Sequence, residues 1–195
     1  HTIRGGMMMK SLYTAIRASI LFMIVCGLLY PLLTTEVAQI LFPFQAQGSL
    51  VEDNGKVKGS VLLAQAFTSP KLFHPRASAA EYDPTASAAT NAAVASPDYI
   101  KSMKETVDAI KKENPSLQNK IPADLVTTSG SGFDPDLSPE AAKAQVPRIA
   151  KATGLSEQLL LSLIDKHTKG RQLGIFGEPR VNVFELNRDL LAQSK

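Results

Sequence analysis

The sequence predicts a single N-terminal transmembrane helix followed by one mixed α+β domain with few strands and several capped helices. Three observations predict this. Residues 18–35 form an uncharged apolar run close to the N-terminus. About 160 residues follow, enough for one compact domain with its own core. Within them, apolar residues recur mainly at helical spacing between recognisable start and stop signals.

The 18 residues of the run reach about 27 Å at about 1.5 Å per residue, close to the hydrocarbon thickness of a bilayer. Leu12 and Ile16 extend it backwards, since the stem of Arg17 lets the guanidinium snorkel to the interface. Tyr13 and Tyr30 then fall near opposite headgroup layers. The anchor is read as residues 10–35, with residues 36–195 as an extracytoplasmic domain. Residues 1–9, where His1 precedes a Met7-Met8-Met9 cluster, are read as an expression remnant and N-terminal tail. A cleaved secretory signal is the competing reading. The run exceeds the usual apolar core of about 7 to 15 residues, and no small-x-small cleavage site follows Leu33.

Charge sets the orientation and excludes one class of partner. Of the 21 Lys and Arg, Arg4, Lys10 and Arg17 precede or enter the run, and the next basic residue is Lys56. The N-terminus is therefore expected in the cytoplasm. From Glu36 onward, the remaining 18 basic residues match all 18 acidic ones, so the domain is neutral and lacks the basic footprint of a nucleic-acid binder. Cys26 is the only cysteine and lies in the run, which excludes a disulfide in the domain. With His74 and His167 far apart, no zinc-ligand spacing exists.

Residues 37–44 stay apolar and end at Phe42-Pro43-Phe44, expected at the outer interface. Residues 50–57 read as a hairpin because Asn54-Gly55 supplies positive φ values, and Val61-Leu62-Leu63 reads as a further buried strand. Residues 77–95, rich in Ala, Ser and Thr, read as a packed loop. Ser96, Pro97 and Asp98 open a helix whose face of Tyr99, Met103, Val107 and Ile110 is expected in the core, and Asn114-Pro115 ends it. Ser138-Pro139-Glu140 opens another, interrupted at Pro147, and Gly154 permits a turn. Ser156 then caps a helix with Leu159, Leu160, Leu163 and Ile164 inward. Asn182 and Glu185 form a capping-box-like pair at the start of the last helix, where Phe184, Leu186, Leu190 and Leu191 offer apolar surface.

Candidate chemistry concentrates in residues 121–139. Asp124, Ser129, Ser131, Asp134 and Asp136 surround two glycines ahead of a helix N-terminus, which could offer backbone donors or carboxylate acceptors. The spacing fits no phosphate loop, nucleophile elbow or EF-hand. An anchored hydrolase would need Ser129 or Ser131 near His74. An anchored extracytoplasmic small-molecule-binding protein is the other alternative.

The same segment, Ser129-Gly130-Ser131-Gly132-Phe133-Asp134-Pro135, with Ser138-Pro139-Glu140-Ala141-Ala142, Gln145-Val146-Pro147-Arg148 and Gly177-Glu178-Pro179-Arg180-Val181-Asn182, closely resembles the C subunits of Kdp potassium-transporting ATPases. Phe73-His74-Pro75-Arg76 extends the likeness upstream. Phe133 stands where the family usually has Leu, Asp136 where His or Asn is common, and Ala88-Ala89-Thr90-Asn91 where Gly-Gly-Ser-Asn is typical. The resemblance implies a noncatalytic subunit of a bacterial inner-membrane complex that imports potassium using ATP. It implies two partners, a P-type ATPase subunit and a channel-like potassium-translocating subunit, beside the lipid bilayer. ATP and potassium are used by the complex, with no cofactor assigned to this chain. It also implies roles in assembly and in raising ATP affinity, with Gln145 a nucleotide-linked position by analogy. On this reading Asp124, Ser129, Ser131, Asp134 and Asp136 form a partner surface near the outer pore mouth, where the carboxylates set a negative field.

Overall fold

The computed structural model describes residues 2–117 and 120–193. His1, in the expected remnant, lies outside them. The chain divides after Ser49 into two units.

The first unit is helical: α1 (Thr2–Ile24), a π-helical turn (Val25–Leu29), α2 (Tyr30–Leu41) and a short α3 (Pro43–Ala46). The π turn has a local cause. Pro31 has no N–H, and its ring would crowd the carbonyl four residues back. The helix widens just before it, and the Tyr30 N–H donates to the Val25 carbonyl five residues earlier. Thr34 and Thr35 turn their hydroxyls onto the carbonyls of Tyr30 and Pro31, at 2.8 Å each, so neither adds an unpaired polar group to an apolar stretch. Residues 8–41 form a helical run long and apolar enough to cross a membrane. Arg17 lies over the ring of Tyr13, 5.3 Å from its centroid.

The second unit opens with the expected hairpin. Strands β1 (Leu50–Asp53) and β2 (Lys56–Ser60) pair antiparallel with Asp53 opposite Lys56, and Asn54 and Gly55 take φ of 52° and 72°. Residues 61–63 are a turn, against the strand expected there. The Ser60 hydroxyl accepts from the Leu62 N–H at 3.1 Å, and the Asn182 side chain caps the Val61 carbonyl at 2.8 Å. Local side-chain bonding has displaced the ladder, leaving Leu62 and Leu63 exposed.

Helix α4 (Pro97–Glu113) has the expected bounds, but the Ser96 side chain makes no capping bond and the helix buries no residue. Its apolar face is half covered and does not join the core. The core lies further along the chain. Helix α5 (Ala123–Val126) and strand β3 (Asp136–Leu137) lead into α6 (Pro139–Ala144), α7 (Val146–Thr153) and α8 (Glu157–His167). Strands β4 (Thr168–Lys169) and β5 (Arg180–Asn182) and helix α9 (Val183–Gln193) complete the unit. β5 pairs antiparallel with both β3 and β4, and Val181 faces Leu137 on one side and Thr168 on the other. Ile149, Leu160, Ile164, Val181, Leu186 and Leu190 are buried together between these elements. Caps fix the helix ends: Ser138 Oγ accepts from Ala141 N, Ser156 Oγ from Leu159 N and Asn182 Oδ1 from Glu185 N, and Gly154 takes φ 77°. The Glu185 carboxylate does not return to Asn182; it pairs with Lys169 at 3.2 Å.

Phe73 has no regular structure around it, yet it is fully buried. Its N–H donates to Asn187 Oδ1 at 2.8 Å and its carbonyl accepts from Asn187 Nδ2 at 2.9 Å, so one amide on α9 acts as a strand's edge for one residue. Asn187→Ala would leave both groups buried without partners. The expected loss is about 2–4 kcal/mol, read as a lowered unfolding temperature of the full chain in detergent, against little change for exposed Leu191→Ala. On the other face of the same helix, Asp189 Oδ2 accepts from Lys166 Nζ at 2.7 Å and His167 Nε2 at 2.9 Å. These hydrogen bonds hold the Asp189 carboxyl down to about 2, from an ordinary 3.8. A depressed carboxyl contributes stability that is present above its unfolded value and lost as pH falls through the folded one. Stability curves of the wild type and Asp189→Asn should therefore differ above pH 3.8 and converge as pH drops towards 2.

Candidate functional site

The site is built outward from the core through one extended segment. Gln145, at the junction of α6 and α7, is buried. Its Oε1 accepts from the His74 N–H at 2.8 Å and from Arg148 Nη2 at 2.7 Å, and its Nε2 donates to the His74 carbonyl at 3.1 Å. Arg148 continues the tie, donating to Pro70 O at 2.6 Å and to Asn114 Oδ1 at 3.1 Å. Gln145 thus faces His74 and Arg148 with its amide fully engaged, leaving no polar atom for a nucleotide in this conformation.

Holding His74 fixes Arg76 two residues on. Its Nη1 pairs with Asp134 Oδ2 at 2.9 Å, and its Nη2 donates to Thr127 Oγ1 at 3.3 Å and Thr128 O at 3.2 Å. Asp134 Oδ1 accepts from the Asp136 N–H at 3.1 Å, and Asp136 Oδ2 pairs with Arg180 Nε at 2.9 Å. Burial raises the Asp136 carboxyl above its ordinary value; Arg180 opposes this and Asp134 adds to it. Asp124 Oδ2 accepts from the Ser138 N–H at 2.7 Å, at the mouth of α6. The three carboxylates do come together, and with Arg76, Glu178 and Arg180 they line a shallow cleft of about 460 Å³. Each is anchored by a donor, so the field they set is weaker than three free carboxylates would give.

Ser129 and Ser131 shape the neighbouring loop. Buried Ser129 Oγ accepts from the Gly132 N–H at 2.9 Å, and exposed Ser131 Oγ accepts from the Phe133 N–H at 3.1 Å. Gly132 takes φ 79°, and a Cβ there would come within 2.9 Å of the Ala88 carbonyl. The Ala-rich segment is thus packed on this loop, also through Ser129 N to Ala77 O and Ser87 Oγ to Ser131 O, each 2.8 Å. His74 is not brought to either serine. Its Nε2 meets Ser69 O at 2.9 Å and its Nδ1 meets Glu113 at 2.8 Å; burial lowers its pKa, the Ser69 carbonyl and Glu113 oppose this, and Arg148 reinforces it. The hydrolase alternative loses its base. Sequence reasoning missed Asn187 and the pairing of Arg180 with Asp136, since partners more than forty residues apart leave no local pattern.

A family model described as "KdpC: K+-transporting ATPase, c chain" matches residues 12–192. A potassium-transporting ATPase KdpC subunit of Geobacter sulfurreducens is 48% identical over 183 residues, covering 92% of this chain and 96% of the relative. One from Rhodopseudomonas palustris is 47% identical over 194 residues with the same coverage. One from Caldanaerobacter subterraneus subsp. tengcongensis is 46% identical over 181 residues, covering 92% and 94%. Matched across both its apolar helix and the domain that holds the cleft, the chain belongs to the family of KdpC chains of K+-transporting ATPases.

Proposed function

We propose that this chain is the noncatalytic accessory subunit of an ATP-driven, high-affinity potassium uptake complex and that it stabilises the assembly of that complex. The family match over residues 12–192 carries the reading, because it spans the membrane-length helix and the domain together. The relatives named above are subunits of potassium-transporting ATPases. In this reading a P-type ATPase chain hydrolyses ATP and a channel-like chain passes the ion. The helix lies in the bacterial inner membrane with its N-terminus cytoplasmic, since Lys10 and Arg17 precede the run and no basic residue follows before Lys56. Tyr13 and Tyr30, about 26 Å apart along a helix, suit the two headgroup layers.

The cleft surface of Asp124, Asp134 and Asp136 docks near the outer mouth of the pore, with Ser131 beside it and buried Ser129 only holding the path of the adjoining loop. Its lining holds four carboxylates against the guanidiniums of Arg76 and Arg180, with Arg171 pairing Glu178 from outside, and the one negative charge in excess supports a residual negative field there. Removing two negative charges about 10 Å from an ion in water is worth about 0.8 kcal/mol, or about fourfold in affinity before salt screening. Any influence on ATP affinity passes through the complex, since the domain lies across the membrane from the nucleotide and the Gln145 amide is engaged.

Purification of the tagged chain in mild detergent, with mass spectrometry of its companions, should recover a P-type ATPase and a channel-like chain in stoichiometric amounts; recovery of this chain alone would sink the reading. Within the recovered complex, Asp134→Asn with Asp136→Asn should raise the potassium concentration for half-maximal ATPase activity by about fourfold at low salt, with assembly retained. An unchanged potassium dependence would leave the cleft a purely structural role.

A further inference from the structure

The hairpin between β4 and β5 carries an apolar tip that the fold itself does not use. Leu173, Ile175 and Phe176 are 88%, 71% and 62% exposed. The tip is held stiffly: Gln172 and Phe176 exchange backbone bonds at 2.8 and 3.0 Å, and the Gly174 N–H reaches the Arg171 carbonyl at 3.2 Å. Leu173 takes φ 53° beside Gly174 at 75°. Left-handed backbone favours Gly, Asn or Asp, and exposed surface favours a polar residue. Leucine there satisfies neither preference, so its side chain answers to something outside the domain.

We propose that this tip inserts into an uncharged apolar pocket on the outward surface of a membrane-embedded chain of the same complex, an inference that rests on the accessory-subunit reading above. Two observations select that occupant. The cations beneath the tip are matched one for one by carboxylates, Arg171 with both oxygens of Glu178 at 2.8 Å, Lys169 with Glu185 and Arg180 with Asp136, so the patch is charge-balanced and lacks the basic cluster that recruits lipid phosphates. The three side chains offer on the order of 400 Å² of contact, about half of what one partner contributes to a stable interface. Such an anchor is too small to capture a protein from solution. It suffices for a chain already held in the same bilayer, where tethering raises the effective concentration.

The test is made on the assembled complex, with a photoreactive residue at position 175 and, separately, with Leu173→Asn and Phe176→Ser. Cross-linking to one membrane-embedded chain of the complex is expected, together with at least a tenfold loss of complex recovery for Phe176→Ser. Leu173→Asn should also lower recovery while leaving the unfolding temperature of the isolated full chain unchanged or raised, because Asn accepts the left-handed turn. Full recovery of the complex with both variants would overturn the inference and leave the accessory-subunit reading standing. Cross-links to lipid alone would overturn it in favour of the bilayer. If even the wild-type chain recovers no other chain, the accessory-subunit reading falls and takes this inference with it.

Discussion

The domain depends on satisfying the backbone of one extended segment that crosses its core. Residues 70–76 form neither helix nor strand, yet Phe73 is fully buried, so its peptide groups lose water and have no ladder to join. Three side chains substitute for that ladder. Asn187 brackets Phe73, Gln145 brackets His74, and Arg148 holds the Pro70 carbonyl. Each is itself buried, Asn187 on α9, Arg148 on α7 and Gln145 at the junction of α6 and α7, and the hydrophobic core fixes all three elements. The polar ties therefore add specificity of position to a core whose stability comes from apolar packing. Losing one tie costs more than one hydrogen bond is worth, because the partner group stays dry.

The outer surface inherits its geometry from that segment. With His74 held, Arg76 is aimed at Asp134 and at the Thr127 and Thr128 stretch, and this sets the path of the Ser129 to Gly132 loop. The loop in turn seats the Ala-rich stretch through Ala77, Ser87 and the close approach at Gly132. Residues 88–91 carry no glycine, and the close approach at Ala88 is accommodated from the other side, by Gly132 on the loop that the Ser129 hydroxyl holds. A surface ordered in this way before any partner arrives gives up little further entropy on docking.

What was legible in the sequence was local. Caps at Ser138, Ser156 and Asn182, the turn at Asn54-Gly55 and the left-handed Gly154 depend on residues within four positions of one another, and the structure carries each of them; the interruption expected at Pro147 falls two residues earlier, at Gln145, with Pro147 in the first turn of α7. The membrane-length run was legible because length and apolarity suffice to define it. The misreadings lie where tertiary partners decide. Val61-Leu62-Leu63 has strand composition, but the Ser60 hydroxyl and the distant Asn182 amide fix a turn. The face of α4 has core periodicity, but the fold sets only part of its surface against the rest of the domain. Strands of two and three residues such as β3, β4 and β5 have no pattern of their own; their pairing follows from the helices around them.

The distribution of polar and apolar groups is itself an argument about what kind of molecule this is. The side chains that sequence inspection marks for chemistry are engaged in holding backbone: Ser129 and Ser131 on their own loop, His74 between Ser69 and Glu113, and Asp124 on the mouth of α6. Apolar groups are meanwhile left outside, with Ile100 on α4 46% exposed and Leu173 at the hairpin tip 88% exposed. Here most of these polar groups are bonded within the chain, buried Arg76 Nε being left without a partner among the described residues, and apolar surface stands uncovered. Hydrophobic surface in water costs free energy until another surface removes it, so this domain gains by association what it lacks in isolation, as expected of a subunit completed by its neighbours.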